Sequence, residues 1–539
     1  MCPDDVQTAD HHNPQGAVDD LPPLRSFIDG DILVPDVDRE NMLRNPNDRA
    51  PLQAQFSCSS EQVERALASA HHAFEGGEWE NTPAVERADL LDKIAEALDA
   101  PAVQDRIAHV DAITTGAVIR VTRTMARLAP FVFRHAATYI REGGLAQKLP
   151  GKRGDVEYFR RPWGPALLVS PWNGPTAIGS HKIASALAAG APCIAKPSEW
   201  APHSALIMAE IIAGLQLPRG TFQLTCGSRH IGGQMVEDAR IGSVSFTGGT
   251  LGGQVIARAC ADTFKPTQLE LGGNNPLVIF EDADLDLAAT GIAYGLTNLN
   301  AQWCRALGRV LVHRSIKDAL LERVMDALGK IRLGNSLDES SDMGPMIHQQ
   351  QYDSVLAAIE QLEGQGGQLL RTTPLPDLPG YFIPPTLVDG CSADSTREEI
   401  FGPVATIHSF DTETEALKLA NGTEYGLAAY VYSTDEARAF NFARKMRTGG
   451  VKINGYSLLS LSSAPRGAWG ISGLGEEGAA ESITVFNGAR TGGHSPQDPH
   501  RGARWRDFLH AGLLDNPHGS HCVNPHLVFR RAEPGPGGI

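Results

Sequence analysis

The sequence predicts an α/β protein built around a doubly wound parallel sheet. Three observations carry that expectation. Short apolar runs without alternation, at 166–170 and 241–246, suit strands buried on both faces. Segments with helical spacing lie between such runs, and a glycine-rich turn follows the second of them. At 539 residues the chain is also long enough for two or three domains.

In order along the chain, residues 1–25 are rich in Asp, His and Pro and read as a flexible polar leader. They have neither the basic start nor the apolar centre of a signal peptide. From Ser60 onward, Val63, Leu67, Ala70 and Phe74 recur at helical spacing, and Leu90, Leu91, Ile94, Ala97 and Leu98 follow. A third helical stretch at 117–127 carries Arg120, Arg123 and Arg127. Residues 152–165 alternate, as a strand does. The spacing then predicts strands at 166–170, 192–195, 221–225 and 241–246, with helices at 183–189, 201–215 and 252–260. A second α/β segment opens at Pro276, with strands at 277–280, 309–313, 406–410, 428–432 and 450–453 and helices at 285–297 and 316–328. From about 491 the chain turns to Gly, Pro, His and Arg, and its histidines show no recurring ligand spacing.

Composition excludes several classes. Hydrophobic residues make up 42% and charged residues 20%, as in a soluble globular protein. A net charge of −16 with no long basic run argues against nucleic acid or an anionic membrane as partner. No run approaches the roughly 18 apolar residues of a membrane span. The eight cysteines are scattered with no Cys-x-x-Cys pair, which suits reduced thiols in a cytoplasm and speaks against a disulfide framework or a metal site.

The chemistry-bearing stretch runs from Leu269 to Arg309. Glu270 stands beside Gly272-Gly273, and Cys304 follows 34 residues after it. Covalent chemistry at a carbonyl needs such a pair, a soft nucleophile and a carboxylate to move protons for it or for water. Glu-Leu-Gly-Gly-x-x-Pro, then Gln302-Trp303-Cys304 with Arg309 five residues on, resembles the core of the aldehyde dehydrogenase superfamily. Further matching motifs come in the family's order: Pro171-Trp172-Asn173-Gly174-Pro175, Lys196-Pro197-Ser198-Glu199, Phe246-Thr247-Gly248-Gly249-Thr250 and Glu398-Glu399-Ile400-Phe401-Gly402-Pro403. Together they span roughly residues 26–490.

The resemblance implies an aldehyde-dehydrogenase-like α/β fold: a doubly wound, Rossmann-like cofactor domain (26–150 and 166–275), an α/β catalytic domain (276–455) and a small β flap for oligomerisation (151–165 and 479–494). A tunnel loop would occupy 456–478 and a polar extension 495–539. It implies a cytoplasmic homodimer or homotetramer. It also implies oxidation of an aldehyde to a carboxylic acid, with Cys304 as nucleophile, Asn173 in the oxyanion hole, Glu270 activating the water that hydrolyses a thioester, and Glu477 relaying protons. The expected cofactor is NAD, held by Trp172, Lys196, Ser198, Glu199, Gly232, Gly249, Thr250, Gln351, Glu399 and Phe401. Glu199 would accept from a ribose hydroxyl and repel a 2′-phosphate, which disfavours NADP. Gly249 stands where the family usually has serine.

Substrate positions depart from the family's usual residues. Gly174 replaces a bulky residue, Arg305 directly follows the nucleophile, Arg466 stands in an aromatic position, and His181 sits where tryptophan is common. These cations, with Arg120 or Arg123, would suit an acidic semialdehyde, since arginine pairs with carboxylate in a bidentate fork. A cation beside Cys304 would also favour its thiolate. The competing expectation is that Arg305 and Arg466 pair with structural carboxylates such as Glu476, leaving Trp303 to shape a pocket for an aromatic or aliphatic aldehyde. Two other functions compete: acylation of coenzyme A, and a non-catalytic binding subunit.

Overall fold

In a computed structural model, residues 21–150, 155–456 and 464–492 are described. The expected polar extension at 495–539 and most of the expected leader lie outside them. Residues 21–25 do not continue a flexible leader, because Leu21 is buried in the first core cluster.

Two twisted sheets organise the chain. The first has eight strands in the order Asp31–Leu33, Ser26–Ile28, Phe222–Leu224, Cys193–Lys196, Ala166–Val169, Ser243–Thr247, Thr267–Glu270 and Gly473–Leu474. Its five central strands are parallel, and antiparallel strands close both edges. Ala166, Leu167, Cys193, Ile194 and Val244 are fully buried, which is why these strands read as unbroken apolar runs. The second sheet has seven strands in the order Gln368–Leu370, Thr386–Asp389, Val404–Phe410, Leu307–His313, Asn275–Ile279, Ala429–Tyr432 and Val451–Ile453. All its pairings are parallel except the first. Both sheets belong to one compact unit.

Strand order explains where the site forms. Neighbouring parallel strands end at Lys196, Val169, Thr247 and Glu270, so the residues after each emerge side by side at one edge. Lys196-Pro197-Ser198-Glu199, Trp172-Asn173, Gly249-Thr250 and Glu270 all leave the first sheet there. The helix Pro175–Ala188 then begins just after Asn173, with proline at its first position, where a missing N–H costs nothing.

The helix Ile119–Arg141 runs well past the expected end at 127 although Pro130 lies inside it. Proline removes the bond to the carbonyl four residues earlier, that of Ala126, and Gln104 Nε2 donates to this oxygen at 3.2 Å. The helix buries Ile119, Met125, Ala126, Ala129, Phe133 and Ala137 at helical spacing. Sequence periodicity missed the helices Pro101–Thr115, Arg229–Glu237 and Gln349–Gly364 and the strands between Ser26 and Ser57. The expected flap strand at 479–494 is in part helix, over Glu481–Thr484, with strand only at Asn487–Gly492. That strand, Val156–Pro162 and Ala146–Leu149 make a three-stranded sheet.

Candidate active site

The loop carrying Cys304 is built under strain and held by hydrogen bonds. Leu299, Asn300 and Ala301 have φ of 49°, 56° and 55°, three successive left-handed residues that are not glycine. Such residues cost on the order of 1–3 kcal/mol each and persist only where their surroundings over-determine them. Here the Asn300 amide donates to the carbonyls of Gly116 and Pro345, each at 2.8 Å, and accepts from Gly344 N at 2.8 Å. Gly116 (φ 79°) must be glycine for this approach, because a Cβ there would lie 2.6 Å from the Pro345 oxygen.

The carbonyls of Gln302, Cys304, Arg305 and Ala306, which follow, are claimed by side chains. Asn173 Nδ2 donates to Gln302 O at 2.8 Å. Asn275 Nδ2 donates to Cys304 O at 2.9 Å and Ala306 O at 2.7 Å. The Tyr430 and Tyr456 hydroxyls donate to Arg305 O at 2.8 and 2.7 Å, their rings stacked 3.7 Å apart. Arg309 plays no part in the chemistry: it is buried and donates to the carbonyls of Asn274, Leu419 and Ala420. None of these clamps was foreseen, since their partners lie far apart in the chain.

Cys304, Asn173, Glu270 and Glu477 line one cavity of about 280 Å³, together with Gly174, His181, Trp303, Arg305 and Arg466. The sequence missed Lys182, at the same end of the cavity. It also missed the apolar wall from Met125, Leu128, Phe131, Val132, Ile178 and Ile483. Cys304 Sγ donates to Glu270 Oε1 at 3.3 Å. Burial, and then the Glu270 charge, push the thiol well above its usual range despite Arg305. Burial and Glu477 raise Glu270 to about 7, against the pull of Arg305, the thiol hydrogen bond and Arg466. Glu477 goes the other way: burial alone would raise it, but Arg466, His181, Lys182 and Arg305 hold it below the usual carboxylate range. The result is a carboxylate near neutrality beside the thiol, with an ionised one behind it.

The substrate cations turn out to be paired or neutral. Arg466 Nη2 lies 3.1 Å from Glu477, rather than Glu476, and Arg305 Nη2 lies 3.8 Å from Glu270. Burial lowers His181 to about 4, so it is neutral and not the cation expected. Lys182 Nζ donates to Ser245 at 2.6 Å. Arg120 and Arg123 are not in the cavity at all: Arg120 bonds Ser341 O and Asp342, and Arg123 pairs with Glu339.

The expected cofactor residues fall into two groups. At the sheet edge, Lys196 Nζ is 3.9 Å from Glu199, and Gly232 packs so close that a Cβ would sit 3.3 Å from the Lys196 stem. Ser198 caps the turn there, accepting from Trp200 N at 3.3 Å. The helix Thr250–Ala261 starts without a side-chain cap, nothing lies within 4 Å of a Cβ at Gly249, and the buried Thr250 hydroxyl has no protein partner. Free amides, open space and a spare donor at a helix N-terminus fit a phosphate. Nearer the thiol, Phe401 (φ 54°) meets Trp172 edge-on at 5.5 Å and its carbonyl accepts from Gln351 at 2.9 Å. Glu399 accepts from Gly273 N at 2.9 Å, and burial raises it to about 8. Among the described residues no cluster of His, Cys, Asp and Glu could hold a metal, and no helix is long and apolar enough to cross a membrane.

Known proteins resemble this chain along most of its length. The model of the aldehyde dehydrogenase family matches residues 34–491. A peroxisomal aminoaldehyde dehydrogenase 1 of Malus domestica is 33% identical over 470 residues, covering 85% of this chain and 93% of that protein. A geranial dehydrogenase of Castellaniella defragrans is 32% identical, covering 85% and 96%. The crystal structure of a betaine aldehyde dehydrogenase from Staphylococcus aureus in complex with NAD+ superposes with a TM-score of 0.83 at 30% identity, covering 88% of this chain and 96% of that one. The parallel-sheet architecture, the shared cavity and these matches lead to one conclusion: the chain belongs to the aldehyde dehydrogenase family.

Proposed function

We propose that this protein oxidises an uncharged, largely apolar aldehyde to its carboxylic acid with NAD as electron acceptor. The observation that carries this reading is the 3.3 Å hydrogen bond from Cys304 to Glu270 inside a cavity that Asn173 also lines. The thiol passes its proton to the carboxylate and the sulfur attacks the carbonyl carbon, forming a thiohemiacetal. Asn173 Nδ2 and the Cys304 N–H receive the developing oxyanion, and one such donor is typically worth about 3–4 kcal/mol. Lys196, Ser198, Glu199, Gly232, Gly249, Thr250, Glu399, Phe401, Trp172 and Gln351 would hold NAD, which would supply the hydride acceptor for oxidation of this adduct to a thioester. Glu477, ionised behind Glu270, takes the thiol's proton onward, which restores the Glu270 carboxylate. Glu270 then takes a proton from water, which adds to the thioester; the acid leaves and that proton returns to the sulfur. Glu270 favours hydrolysis over transfer to coenzyme A.

An uncharged substrate is favoured because Arg305 and Arg466 already have carboxylate partners and much of the cavity's lining is apolar. The segments 26–150 and 166–275 act as the cofactor domain and 276–455 as the catalytic domain, in a homodimer or homotetramer. The test follows NADH absorbance over a panel of neutral, cationic and acidic aldehydes, with Cys304→Ala as control and NADP in parallel. Turnover led by neutral aldehydes with NAD supports the reading; absence of NADH with every aldehyde, or activity that survives Cys304→Ala, defeats it.

A further inference from the structure

No step of the proposed reaction uses Arg305, yet the residue sits beside both the thiol and the carboxylate. It follows the nucleophile directly and is only 15% exposed. Its guanidinium lies 3.8 Å from Glu270 Oε1, the same oxygen that accepts from the Cys304 thiol. The two tyrosine hydroxyls on its backbone carbonyl fix where the residue starts, independently of its charge. Glu270 is the carboxylate that the fold sets against this guanidinium. The arginine therefore belongs to the base rather than to the substrate.

We propose that Arg305 is a positioning residue that keeps the Glu270 carboxylate against the Cys304 thiol and stabilises the thiolate left when the proton crosses. In that crossing the S–H bond breaks, an O–H bond forms at Oε1, the electron pair stays on sulfur, and nothing is oxidised or reduced. The negative charge moves from carboxylate to sulfur, and the guanidinium neighbours both positions. Six groups bear on Glu270: Cys304, Arg305, Glu477, Arg466, Lys182 and Glu399. Burial and Glu477 favour the protonated carboxyl, and among the groups opposing them Arg305 has the largest effect. It also opposes the upward shift of the thiol. Losing it makes Glu270 a poorer resting base and Cys304 a rarer thiolate at neutral pH.

This inference rests on Glu270 and Cys304 acting as proposed, but its test needs no turnover. The rate of Cys304 alkylation by iodoacetamide is measured from pH 5.5 to 10 in the full chain, with Cys304→Ala as blank, for wild type, Arg305→Gln, Arg305→Met and Arg305→Lys. The expected result is an alkylation profile displaced upward by about one pH unit in Arg305→Gln and Arg305→Met, roughly a tenfold slower reaction at pH 7, with Arg305→Lys recovering most of it. Two neutral variants guard against one failing to fold. Profiles that superimpose on wild type overturn the proposal. So does an unchanged profile accompanied by a raised KM for carboxylate-bearing aldehydes alone, which would return Arg305 to substrate binding. A wild type that alkylates normally but reduces no NAD with any aldehyde would defeat the enzymatic reading and leave this measurement interpretable.

Discussion

Cys304 and Glu270, 34 residues apart in sequence, share one proton across 3.3 Å. On the proposed mechanism the nucleophile and the base are thus one acid–base unit before any substrate arrives, and the pH behaviour follows from that unit.

Because Glu270 is raised to about 7, hydrolysis of the acyl-enzyme should be limited by the fraction of ionised carboxylate below that pH. A protonated carboxyl cannot take a proton from water, so the rate falls as pH drops. The steady-state rate should lose close to tenfold per unit well below pH 7 and level off above it. Glu270→Gln should slow the first burst of NADH, since the thiol loses its proton acceptor, and slow the turnover after it by about 10²–10⁴-fold. Stopped-flow absorbance at several pH values reads both.

Asn275 is buried and holds the carbonyls of Cys304 and Ala306 while accepting from Ala428 N at 3.1 Å. Asn275→Ala leaves four backbone groups without this partner, the carbonyls of Gly273, Cys304 and Ala306 and the N–H of Ala428, and an unsatisfied buried group costs about 1–3 kcal/mol. The expected outcome is a loss of several kcal/mol in denaturant unfolding, with a fall in kcat because the nucleophile's loop is no longer pinned. Asn275→Asp should recover the Ala428 bond only.

Gly249 has open space around it and begins a helix without a side-chain cap. Gly249→Ser should be accommodated without strain, stabilise the helix by a few tenths of a kcal/mol and add one hydroxyl toward the phosphate. Calorimetric titration should show tighter NAD binding, with Tm unchanged or slightly higher.

Much of this was legible in the chain. Strands buried on both faces show as apolar runs, and the motif residues Asn173, Glu270 and Cys304 do line one cavity. Other parts were hidden for physical reasons. Helix Pro101–Thr115 buries every residue from Ile107 except His109, so its second half shows no polar face to read. Helix Ile119–Arg141 passes a proline whose freed carbonyl, that of Ala126, is taken by Gln104 from another helix. The partners of Arg305 and Arg466 depend on which carboxylates the fold brings near, and a local pattern contains no such information. His181 reads as a cation until its burial is known.

The left-handed turn at Leu299–Ala301 is propped by Gly116, Gly344 and Pro345, and Asn173 ties down the residue that follows it. Those props come from both sides of the chain's midpoint. The thiol's aim thus reports on remote packing, and mild denaturant or heat that loosens any one prop should silence the enzyme well before its helices melt. Inactivation would then be an early and reversible alarm, sounding while the rest of the molecule is still intact.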